Sequence, residues 1–134
     1  MYATNLIHAM PNQEETIRAI RALDLLVVVD VIPSEIAGWA DVVLPEATYL
    51  ERYDDLNVET FREPFVALRQ PVVTPPADQK PNWWIARELA LKLGLGAYYP
   101  WHDIEEYLDY RLKGAGLSLA ELKQKGLVRG PQQP

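Results

Sequence analysis

The segment from Leu25 to Leu50, LLVVVDVIPSEIAGWADVVLPEATYL, constrains this chain more than any other. Leu25 to Val29 is apolar without interruption and rich in valine. That pattern suits a strand covered on both faces, as in a parallel sheet. Asp30 closes the run. Pro33-Ser34-Glu35 then restarts the chain as a short helix, with Ser34 as its expected N-cap. Asp41 to Pro45 reads as a second short strand, closed by proline. Strand, helix and strand in so short a span is α/β logic. Ligands of open α/β sheets bind outside the carboxyl ends of the strands. Asp30 therefore stands where a nucleotide-reading carboxylate would stand.

The flanking segments extend this pattern. Tyr2-Ala3-Thr4 reads as the last turn of a buried strand, so the chain is expected to be a piece of something longer. Asn12 and Glu15 have capping-box spacing, and Ile17, Ile20 and Leu23 recur at helical intervals, which predicts a helix over 13–23. Periodicity is lost over 51–77, where Asp54-Asp55, Gln70-Pro71 and Pro75-Pro76 predict a loop-rich excursion. Pro81 suits a first helical turn, Ile85, Leu89 and Leu93 line one face, and Gly94 fits the C-terminal cap. Asp103 with Glu106, and Ser118 with Glu121, predict two further helices, through Leu112 and to near Gly126.

The expected fold is α/β: an open, mainly parallel sheet flanked by helices, with a helical C-terminal extension. Its expected organisation is an α/β nucleotide-binding core over 1–50, the excursion over 51–80, a helical segment over 81–126 and a polar tail over 127–134.

Composition narrows the function. The 134 residues carry a net charge of −6 with no clustered Lys/Arg run, which argues against non-specific nucleic-acid binding. No apolar run reaches the roughly 18 residues of a membrane helix. The chain has no cysteine, which excludes disulfides, iron–sulfur ligation and thiolate metal sites within it. Its glycines match neither GxGxxG nor the P-loop spacing. His8 and His102 have no HxxxH or HExxH partner and read as surface or hydrogen-bonded histidines. Ser34 and Ser118 lie in no nucleophile elbow, so a hydrolase triad is set aside. Glu14-Glu15, Asp54-Asp55 and Glu105-Glu106 read as solvated faces, and Trp83-Trp84 as core or interface packing.

Three polar residues stand at strand ends: Asn5, Asp30 and Glu46. On neighbouring strands they would form a ligand-binding crest. Asp30 alone is equally a turn residue capping the segment after it.

The same residues carry a family resemblance. Val27-Val28-Val29-Asp30, Pro33-Ser34-Glu35, and Ala40-Asp41-Val42-Val43-Leu44-Pro45-Glu46-Ala47-Thr48 with Leu50-Glu51 resemble the signature of the molybdopterin oxidoreductases. This is the group of dimethyl sulfoxide reductase and formate dehydrogenase. Tyr2-Ala3-Thr4-Asn5 resembles the strand end before it, usually Gly-x-Asn-Pro, with Ala3 and Leu6 in place of the glycine and proline. Lys80-Pro81 through Leu95 resembles a later helix of the family, and the likeness runs to about Trp101, more loosely to Gly126. Arg52-Tyr53-Asp54-Asp55, Arg62-Glu63-Pro64 and Gln70-Pro71-Val72-Val73 are more similar to polysulfide and thiosulfate reductase catalytic subunits than to formate dehydrogenases or nitrate reductases.

The resemblance implies a domain that holds one molybdopterin guanine dinucleotide. Asn5 and Asp30 would contact its guanosine end, Glu46 would lie near the same nucleotide, and Val29 and Ser34 would add backbone or hydroxyl contacts. No catalytic or metal-ligating residue is expected here. The metal ligand and a [4Fe–4S] cluster would belong to other parts of the full enzyme, so this chain alone is expected to be inactive. Implied partners are the remainder of the catalytic subunit, an iron–sulfur electron-transfer subunit and a membrane anchor, on the periplasmic side; nucleic acid and direct membrane insertion are not implied. A second expectation, from another class, is a stand-alone α/β module that docks through Trp83, Trp84 and the excursion.

Overall fold

Strand β1 (Val27–Asp30) runs parallel to β2 (Val42–Pro45) in the computed structural model, which describes residues 1–60 and 62–130. Val27 lies opposite Val42, and Asp30 opposite Pro45. Tyr2 bridges in parallel to Val29, on the other edge of β1, and Glu46 bridges in parallel to Lys80. These residues belong to a first compact unit, Met1–Ala47 with Pro75–Lys80.

Its core is Ile7, Ile20, Leu26, Val28 and Ile36. Each element contributes one apolar face. Ile7 comes from α1 (Leu6–Ala9), a single turn that no sequence signal announced, and Ile20 from α2 (Gln13–Arg21). Ile36 comes from the 3₁₀ helix Glu35–Trp39 that joins β1 to β2. Asn12 caps α2 as its spacing predicts: its Oδ1 accepts from the Glu15 N–H at 3.1 Å and its Nδ2 donates to Glu15 Oε2 at 3.2 Å. The helix stops at Arg21, and Leu23 is exposed. The valine run is covered only at its centre: Val28 and Val29 are buried, whereas Leu25 is 62% exposed and outside the strand. Val42 and Val43 of β2 are exposed too, so this sheet is not covered on both faces.

Ala3 is the one non-glycine with positive φ among the described residues, at 45°. Its N–H still donates to the Val29 carbonyl at 3.0 Å, which holds it in that conformation at the strand end. A left-handed backbone costs an L-residue about 1–2 kcal/mol, and glycine gives back about 0.5–1 kcal/mol in unfolded-state entropy. Ala3→Gly is therefore expected to stabilise the chain by roughly 0.5–1 kcal/mol. Thermal unfolding checks this, and a lower melting temperature would contradict it.

The second unit comprises Thr48–Thr74 and the chain from Pro81. It holds a three-stranded antiparallel sheet in the order β3 (Asn57–Glu59), β4 (Phe65–Ala67), β5 (Leu127–Arg129). The architecture is thus mixed, with small parallel and antiparallel sheets, rather than mainly parallel. The segment read as a loop-rich excursion contains two short strands, and the one read as a polar tail contains the third; residues 131–134 of that tail lie outside the described residues. Three-residue strands are too short to show a period of two, so patterning does not reveal them.

Helices α3 (Asn82–Lys92), α4 (Ile104–Lys113) and α5 (Leu119–Lys125) complete the unit around Leu68, Leu108, Leu112, Leu119 and Leu122. The expected caps form: Asp103 and Ser118 accept from the N–H groups of Glu106 and Glu121. Gly94, at φ 74°, follows the end of α3 in the left-handed conformation that favours glycine. The buried face of α3 differs from the one expected: Ile85 and Ala90 are buried, while Leu89 and Leu93 are exposed. Asp55 is exposed as expected, whereas Asp54 is largely covered, with 19% of its side chain exposed. Asp54 accepts from Arg52 and Arg69, and Asp55 from Arg111 and Tyr107, which ties the loop before β3 to α4.

Candidate functional site

Parallel pairing brings the ends of the first unit's strands together. Asp30 ends β1, Glu46 follows β2, and Asn5 follows the Tyr2 strand end on the opposite edge of β1. Asp30 is half-buried, and its two oxygens are held separately. Oδ1 accepts from the Val31 N–H at 2.8 Å and Oδ2 from the Ser34 hydroxyl at 2.9 Å. A carboxylate has about four acceptor positions, so each oxygen keeps capacity for one more donor.

Asn5 is held by a different pair. Its Nδ2 donates to Glu35 Oε2 at 2.6 Å, and His8 Nε2 lies 2.9 Å from Glu35 Oε1. A carboxylate only accepts, so His8 carries its proton on Nε2 in this contact. Asn5 Oδ1 is buried without a hydrogen-bond partner. The hydrogen bond from His8, then one from the backbone of Glu35 itself and one from Asn5, hold the Glu35 carboxyl below the ordinary glutamate range. A depressed pKa means the stabilisation is complete above the unfolded-state value and is lost as pH falls through the folded one. The carboxylate transition reported by the Asn5 side-chain amide signals is therefore expected to have its midpoint below pH 4.5. An NMR titration checks this; a carboxylate midpoint at or above that value would contradict it.

The other expected contacts take different places. Glu46 is only 2% exposed, its Oε1 accepts from the Tyr2 hydroxyl at 2.8 Å, and its N–H donates to the Asp30 carbonyl at 3.0 Å. Its side chain is a tie across the sheet rather than an open face of the crest. Val29 is 8% exposed; its N–H donates to the Met1 carbonyl and its carbonyl accepts from Ala3. It has no backbone donor left for a ligand, because the sheet has taken it. Ser34 makes no capping bond, since its hydroxyl turns to Asp30. The partners missed in the sequence are Glu35, His8 and Tyr2. Nothing in their spacing signals the contacts, which span 27 to 44 residues.

His102, just before α4, pairs with Glu106 in the first turn of that helix, at 3.1 Å. No group of three or more His, Asp or Glu side chains among the described residues is placed to hold a metal ion. No helix among them is long and apolar enough to cross a membrane.

Residues 1–92 match the family model for Molybdopterin oxidoreductase. The thiosulfate reductase molybdopterin-containing subunit PhsA of Salmonella typhimurium is 43% identical over 116 residues, covering 87% of this chain and 15% of that protein. Acetylene hydratase of Syntrophotalea acetylenica is 32% identical over 124 residues, covering 92% of this chain and 17% of that protein. The solved structure of acetylene hydratase from Pelobacter acetylenicus superposes with a TM-score of 0.81 at 29% identity, over 98% of this chain and 18% of that one. The chain thus spans about a sixth of the length of these relatives.

Proposed function

Because the chain belongs to the molybdopterin oxidoreductase family, we propose that it is the segment of a larger catalytic subunit that reads the guanosine end of one molybdopterin guanine dinucleotide. The observation that carries this reading is Asp30, a strand-end carboxylate with each oxygen oriented by its own loop and each able to accept again. A guanine edge presents two adjacent N–H donors, which a carboxylate accepts as a pair. Such charge-assisted bonds are roughly twice as strong as neutral ones. Asn5, at the N-cap of α1 just after the Tyr2 bridge to β1, adds an amide. Val29 and Glu46 shape the sheet beneath them.

When bound, the cofactor supplies a molybdenum centre for two-electron and oxygen or sulfur transfer. The share of this chain is binding and orientation. The likeness to a thiosulfate reductase exceeds that to an acetylene hydratase, 43% against 32% identity, which supports thiosulfate, polysulfide or a related sulfur compound as the substrate of the parent enzyme. Relatives named for such different reactions share this segment, which fits a role in holding a common cofactor rather than in selecting substrate. Without a cysteine in the chain, reductase activity is assigned to the assembled subunit and its electron-transfer and membrane-anchoring partners.

Calorimetric titration with GMP and with AMP tests the reading. Saturable GMP binding that AMP does not reproduce, and that Asp30→Ala abolishes, is the expected result. A folded sample that binds neither, or both equally, would overturn it.

A further inference from the structure

The loop after β1 holds both polar groups of the crest with two consecutive residues. Ser34 donates to Asp30 Oδ2 at 2.9 Å, and Glu35 accepts from Asn5 Nδ2 at 2.6 Å. Their loop is itself fixed. The Ser34 N–H donates to the Ile32 carbonyl at 2.9 Å, and the Ser34 carbonyl accepts from the Ala37 N–H at 2.9 Å. Ile36, the next residue, is fully buried in the core with Ile7, Ile20, Leu26 and Val28. The side-chain positions of 34 and 35 are therefore anchored through 36.

This matters because the groups they hold are torsionally soft. The last torsion of Asp and Asn side chains is broad rather than confined to staggered wells. One donor on one oxygen leaves a carboxylate free to rotate. The Val31 N–H on Oδ1 and the Ser34 hydroxyl on Oδ2 together set its plane. For Asn5, a carboxylate partner admits only the NH₂ end of the amide, so Glu35 selects which end faces inward. His8, 2.9 Å from the other Glu35 oxygen, steadies that choice.

We infer that Ser34 and Glu35 are positioning residues: they orient Asp30 and Asn5 for a purine-nucleotide edge and do not themselves touch the ligand. Ser34 thus leaves the set of direct contacts and becomes the group that aims one. The inference rests on the guanosine reading for its ligand, but its geometry is measurable in the free protein.

The experiment uses the whole chain with Ser34→Ala, Ser34→Thr and Glu35→Gln, and GMP as the probe. Without ligand, Ser34→Ala is expected to speed hydrogen exchange of the Val31 amide, and Glu35→Gln to move the Asn5 side-chain amide signals. With GMP, Ser34→Ala is expected to weaken binding about tenfold, the loss of one hydrogen bond to a charged group. Ser34→Thr, which keeps the hydroxyl, restores both readouts to within about twofold of the parent chain. An unchanged GMP affinity in Ser34→Ala, or a loss that threonine does not restore, overturns the inference. If the parent chain binds no GMP, the guanosine reading fails separately. The orienting role then stands on the Val31 and Asn5 signals alone, and unchanged signals would overturn it as well.

Discussion

Leu108→Ala is expected to destabilise the second unit by about 2–5 kcal/mol. Leu108 is fully buried, on α4, against Leu68, Leu112, Leu119 and Leu122. Truncation removes apolar burial and leaves a cavity lined by residues from two helices and the β4 end, which relax only in part. A domain of this size has about 5–15 kcal/mol in total, so the variant is expected to be partly unfolded at modest urea concentrations. Equilibrium urea unfolding followed by far-UV circular dichroism measures it. Gln124→Ala, exposed on α5, serves as the control and is expected to change stability by no more than about 0.5 kcal/mol. A Leu108 variant as stable as that control would mean that these helices do not share a packed core.

Asp30→Asn is expected to lower GMP affinity by about two orders of magnitude, the scale of a charge-assisted pair converted at 1.4 kcal/mol per tenfold. The substitution keeps the shape but turns one acceptor into a donor, which then faces a guanine N–H. The same change creates a match for xanthine, whose edge pairs one N–H with one carbonyl. The Ser34 hydroxyl, 2.9 Å from Oδ2, accommodates either partner, since it accepts as well as donates. The variant is therefore expected to prefer xanthosine monophosphate to GMP, whereas the parent chain prefers GMP. Competition titration of the two nucleotides decides it. Loss of GMP binding without a gain for xanthosine would place Asp30 in the fold rather than at the purine edge.

Much of the local structure was legible because its causes lie a few residues apart. Asn12, Asp103 and Ser118 each bond to an N–H three residues on, so the spacing and the chemistry are one statement. The valine run and Pro45 marked β1 and β2, and Gly94 marked the end of α3. What failed was inference from one-face periodicity where little covers the face. Leu89 and Leu93 have helical spacing but are exposed, and Leu25, at the start of the run read as covered on both faces, is exposed as well. Apolar spacing records what a surface can bury, not what lies against it.

The crest shows the same division. The places of Asp30 at the end of β1 and Glu46 after β2 followed from the sequence, because the valine run and Pro45 mark where those strands stop. The working geometry of the crest did not. Whether Glu46 is open or buried depends on Tyr2, 44 residues away, and whether Asn5 presents an oxygen or a nitrogen depends on Glu35, 30 residues away. Such contacts join single side chains with no repeat to betray them, and they exist only after parallel pairing has set the strands beside each other. The sequence by itself determined the α/β character of the first unit, the helix starts and the strand-end carboxylate. Only the tertiary structure decided the antiparallel sheet and which polar groups are held, buried or left to bind, because hydrogen-bonding capacity is local whereas its satisfaction is not.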